Sequence, residues 1–166
     1  MSLSGQTPHR HQQERLRATP FPPLRWQSAL HARAEPAAGN YWGIAPGSFY
    51  GYPKQKLLAT GAPDEILVDL YMHQPSRFNI VGGSLGVEGA GDTAVRHNVV
   101  IAGLNTTAVD AVGAVVMGFD PEKLPLLEKL ERRGLGMRDI YSIWTRGNEA
   151  EQVRREFRKP AGWEKA

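Results

Sequence analysis

Three carboxylates near the middle of the chain have the residue types for joint chemistry. Glu88 and Asp92 stand in the stretch 82–92, GGSLGVEGAGD, and Asp110 interrupts the aliphatic run TAVDAVGAVVM. Gly82, Gly83, Gly86, Gly89 and Gly91 make the first stretch the densest in glycine, and glycine lets backbone take positive φ and approach a ligand closely. No lysine follows, so the stretch matches neither the phosphate loop nor the dinucleotide fingerprint. Carboxylates on pliable backbone suit a hard divalent cation, which makes Glu88, Asp92 and Asp110 the candidate metal ligands.

An ionised Asp110 among valines and alanines needs an ion partner or hydrogen-bond donors. It is the first candidate for a catalytic base, with Glu88 second. The competing reading is a structural aspartate that fixes the turn at 105–107. Candidate ligand-binding positions are Gly83, Gly86, Glu88, Gly89, Gly91, Asp92 and Asn105. Lys54 joins them from 41–63, a loop rich in tyrosine, glycine and proline whose basic residues could equally face solvent.

Several elements are expected to position these residues. DEILVDLYMH (64–73) has apolar residues at helical spacing behind a capping Asp64. The short run 78–81 reads as a buried strand, and NVVIA (98–102) as a strand buried on both faces. Thr106 would cap an interior helix over 107–117, ended by Gly118. Pro125 would divide a turn at 121–124 from a helix over 125–133. IYSIWT (140–145) has the β-branched and aromatic content of a strand, and 149–159 reads as a thin amphipathic helix. Strand, helix, helix, strand from 98 to 145 implies a right-handed crossover and a parallel pair. The expected class is therefore α/β, a small mainly parallel sheet with helices packed on it. Loop 82–92 and turn 103–105 should then meet beyond the carboxyl ends of the strands.

The 166 residues are 41% hydrophobic and 22% charged, as in an ordinary globular chain. Residues 1–40 carry five arginines against two glutamates, while 41–166 are balanced, so the net +3 comes from the leading stretch. The expected division is a disordered basic arm (1–40), an α/β domain (41–148) and a C-terminal helix and tail (149–166). Basic charge confined to an arm argues against nucleic-acid binding, which needs a clustered face. With no cysteine, the chain cannot hold an iron–sulfur cluster through its own thiolates. No run approaches the roughly 18 apolar residues of a membrane helix. A cytoplasmic setting fits both absences.

The run GVEGAGD…VVIAGLNTTAVDAVGAVVMGFDPEKLPLLEKLERRGLG resembles domain of unknown function 362, as do IAPGSFYGYPK and ILVDLYMHQPSRFNIV before it. The similarity spans roughly residues 43–147 and concerns the C-terminal portion of the family domain. It implies an α/β domain, an incomplete version of a larger one, associated with iron–sulfur proteins, since the family is often joined to ferredoxin-type modules. It brings no established catalytic residues. Three departures stand out: the arm replaces the portion expected before Gly43, Gly82-Gly83 stands where the family tends to have Asp-Gly, and no cysteine module is attached. The implied partner is an iron–sulfur protein in trans or a second copy of the chain. The expected function is an accessory domain that binds a partner or small ligand at 82–92. The alternative is a metal-dependent enzyme or oxidoreductase subunit using Glu88, Asp92 and Asp110.

Overall fold

The computed structural model describes residues 36–51, 54–88 and 93–159. Its helices are α1 (Pro36–Gly39), α2 (Gly47–Tyr50), α3 (Gln55–Leu58), α4 (Pro63–His73), α5 (Thr106–Val116) and α6 (Pro125–Arg132). Between α4 and α5 lie two strands, β1 (Asn79–Glu88) and β2 (Thr93–Gly103). They pair antiparallel, with Asn79 opposite Gly103 and Glu88 opposite Thr93. This overturns the expected mainly parallel sheet, although the class remains mixed α and β. The reason is chain length. Four residues (89–92) join the strands, whereas a parallel pair needs a crossover of about a dozen or more.

The strand expected over 140–145 does not form. Ile140–Ser142 is a single 3-10 turn, and Tyr141 and Trp144 are 96% and 79% exposed, so β-branched content there has no strand to pair with. The helix expected over 149–159 is replaced by a 3-10 turn, Ala150–Val153, and an extended strap. The strap's N–H groups bond outward instead of along a helix: Arg155 donates to the Val116 carbonyl (2.9 Å) and Phe157 to that of Met117 (3.2 Å). Residues 41–63, read as loop, contain the 3-10 turn Asn40–Gly43 and the short helices α2 and α3.

Three helices form where their patterns placed them. Pro63 starts α4, whose Ile66, Leu67, Val68 and Tyr71 are buried. Pro125 starts α6, with Leu126, Leu127 and Leu130 inward. Helix α5 is the centre of the core; Val109, Ala111, Ala114, Val115 and Val116 are all buried. Its cap is Asn105, not Thr106: the Asn105 side chain accepts from the Ala108 N–H (2.9 Å). Gly118 leaves the helix at φ 81, conformation that glycine adopts without penalty.

The hairpin lies over α5. Val99, Ile101 and Gly103 of β2 face inward, and a side chain at Gly103 would meet the Val109 methyl at 2.7 Å. Val100 between them is 71% exposed, so β2 is covered on one face and not on both as expected. Helix α1, within the stretch assigned by composition to the arm, packs on α5 through buried Ala37 and Ala38.

Candidate functional site

The antiparallel hairpin separates what a parallel sheet would have joined. The 82–92 stretch leaves one end of the hairpin and the 103–105 turn leaves the other. Most of the glycine stretch is strand: Gly82, Gly83, Gly86 and Glu88 all belong to β1. Gly89, Gly91 and Asp92 lie outside the described residues.

Two of these glycines serve packing. A side chain at Gly82 would come within 2.2 Å of the Val99 carbonyl oxygen, so the close approach of β2 requires glycine. One at Gly86 would meet the Phe157 ring at 2.5 Å, because the strap lays that ring on β1. Glu88 is half-buried at the hairpin tip.

Asp110 is fully buried in α5. Its carboxylate accepts from the Ala37 N–H at 2.6 Å and the Ala38 N–H at 2.7 Å, the first turn of α1. Those donors have no partner within their own helix, so the carboxylate caps α1 across more than seventy residues of sequence. Among the described residues, no three His, Asp or Glu stand close enough to hold one metal ion. Lys54, in the left-handed conformation (φ 37), starts α3 beside the small cluster of Ala45, Leu57 and Ile66. Partial burial lowers its ammonium pKa below the usual lysine value.

A polar network holds the start of α5. Ser76 Oγ donates to Asn79 Oδ1 (2.7 Å), Thr106 Oγ1 donates to the same oxygen (3.1 Å), and Asn79 Nδ2 donates to the Gly103 carbonyl (3.4 Å). Asn105, expected at a ligand, spends its side chain here: Oδ1 caps α5 and Nδ2 donates to the Leu135 carbonyl (2.9 Å). Thr107 Oγ1 donates to that carbonyl too, at 3.0 Å. This network fastens the segment after α6 to the base of the hairpin.

Beside it runs a groove of about 850 Å³. One wall is the length of β2 from Asn98 to Gly103; the floor is Ala108, Val109, Val112 and Val116 of α5; the far wall is Ile143, Trp144, Thr145, Arg146, Gly147 and Asn148. No β1 residue lines it, so it follows the edge of β2 that β1 leaves open. Its ends are tied down, at one by the Leu135 bonds and at the other by His97 Nε2 and the Val153 carbonyl (2.9 Å). Between those ties the far wall has its own small anchor. Asp139 accepts from the Ser142 hydroxyl (2.6 Å) and the Tyr141 N–H (3.0 Å), and these two bonds, the hydroxyl's first, hold its carboxyl below the usual aspartate value. Arg146 lies over the Trp144 ring, 4.8 Å from its centroid.

The lining is apolar on the floor with amides and hydroxyls at the rim, the usual composition of a binding cleft. Sequence reasoning missed it because its walls come from three separate segments. The one available signal was the alternation across 93–103, hidden by the unbroken apolar run Val99–Ala102. Comparison of the chain with family models, curated proteins and solved structures gives no match. Among the described residues, no helix is long and apolar enough to cross a membrane.

Proposed function

We propose that this chain is an accessory binding module that takes up an extended, aliphatic-rich segment of a partner polypeptide along the open edge of β2. The observation that carries the reading is the coincidence of that edge with the valine floor of the groove. A strand edge offers N–H and C=O groups on alternate residues, which only another extended backbone can pair in series. Asn98–Gly103 spans six residues, about 20 Å at strand rise, and contains no proline, lysine or other charge of the kind that guards edges against pairing. Val109 and Val112 beneath it give alternate aliphatic side chains of an incoming segment somewhere to go. The resemblance to a family joined to ferredoxin-type modules makes an iron–sulfur protein in trans the partner class to try first.

The test is peptide selection on the intact chain, followed by binding measurements on the winners. Selected peptides should alternate aliphatic residues and shift the backbone amide resonances of 98–103. Val112→Glu, which puts a charge into the floor, should weaken them by at least about tenfold, roughly 1.4 kcal/mol. Peptides that shift other amides, or bind Val112→Glu as well as the wild type, would refute the reading.

A further inference from the structure

The groove beside β2 has one feature that strand-edge pairing does not use. Among the described residues that line it, Arg146 alone carries a charge. Its guanidinium stands on the far wall over the Trp144 ring, 4.8 Å from the centroid, and both side chains are exposed. The ring engages one face or one N–H of a group that has five donors, so most of them stay available to a second partner. Among the described residues, no carboxylate pairs with Arg146. Glu149, three residues on, and Glu151, which pairs with Arg154 at 3.3 Å, do not line the groove.

We infer that the segment bound in the groove carries a carboxylate, which Arg146 takes up on the far wall; this rests on the strand-edge reading above. A cleft with charge of one sign and apolar walls draws in the opposite sign and repels its own. Guanidinium and carboxylate meet as a two-point fork, which fixes orientation as well as adding attraction. That contact supplies what the rest of the groove lacks. Backbone bonds along β2 and aliphatic contacts on the valine floor repeat every second residue, so they do not distinguish one register from the next. A single charge at one place on the wall does. Trp144 is then a positioning residue, holding the guanidinium over its ring. The carboxylate can belong to an aspartate or glutamate side chain or to the segment's own C-terminus, and the test separates these sources.

The probes are peptides selected on the full chain from a random library with free C-termini. Each winner is remade with its side-chain carboxylates as amides and, separately, with its terminal carboxyl as the amide. One of the two changes should weaken binding about fivefold at low salt, the upper end for an exposed pair, and which one does so identifies the source. Arg146→Gln should give the same loss, and combining it with the effective amide should add little further. The loss should shrink in about 0.5 M salt, and Arg132→Gln, at an exposed position on α6, should change nothing. Val112→Glu should weaken acid and amide peptides alike. Peptides that bind at 98–103 and need Val112, yet carry no carboxylate whose loss matters or bind Arg146→Gln as well as wild type, overturn the carboxylate assignment and leave strand-edge binding standing. A library that yields no binder at 98–103 overturns both.

Discussion

Replacing Asp110 with asparagine changes one oxygen for an amino group, yet it should rank among the most damaging single substitutions in the chain. The carboxylate is fully buried and accepts one N–H on each oxygen, from Ala37 and Ala38. Hydrogen bonds to a charged acceptor contribute about 1.5–3 kcal/mol each, and a buried donor left without one costs about 1–3 kcal/mol. Asparagine keeps one acceptor and turns an N–H₂ group toward the other donor. The expected loss is about 2–4 kcal/mol. At roughly 2–4 °C per kcal/mol for a chain of this size, the melting temperature should fall by about 4–16 °C. Urea unfolding gives the free energy, and hydrogen exchange at the Ala37 and Ala38 amides gives the location. A variant within about 0.5 kcal/mol of wild type, in the range of surface substitutions, would refute the capping role. A destabilised variant whose two amides stay protected would refute it as well, because the damage would then lie elsewhere.

Gly86→Ala should cost about 1–3 kcal/mol by forcing the Phe157 ring off β1, and combining it with Phe157→Ala should give clearly less than the sum of the two effects in urea unfolding. The Asp139 anchor predicts a pH-dependent groove wall. A carboxyl held below its usual value adds stability that is present above that value and lost as pH falls through the folded one. The Tyr141 and Ser142 amides should therefore stay in place from neutral pH into the ordinary aspartate range, then shift together at lower pH; Asp139→Asn should abolish the step, and a step that survives the substitution assigns it to another group.

Helices α4, α5 and α6 were legible in the sequence because a helix announces itself locally, through spacing and proline, although neither expected cap, Asp64 nor Thr106, is the one used. The hairpin was not, and its glycines show why. A glycine-dense stretch reads as pliable backbone waiting for a ligand, but Gly82 and Gly86 are glycine because β2 and Phe157 come too close for anything larger. Those partners lie 17 and 71 positions downstream, beyond the reach of any local pattern. The direction of the sheet was lost through the opposite error. Ile140–Thr145 has strand composition with no edge to join, while the four-residue spacing between β1 and β2, which does dictate an antiparallel pair, was absorbed into the supposed loop.

Asp110 follows the same logic from the polar side. Its chemistry, a carboxylate in an aliphatic helix, was visible, and so was its need for donors; that the donors would be backbone amides of 37 and 38 was not. A buried acid becomes a reactive group only where a substrate or metal can reach it. Asp110 is fully buried and each carboxylate oxygen takes an N–H at 2.6–2.7 Å, so the residue's charge serves to hold α1 against α5. The open edge of β2 still offers backbone hydrogen-bonding groups beside the apolar floor of the groove, and this is the physical reason to look for recognition at the strand edge before looking for catalysis at the acid.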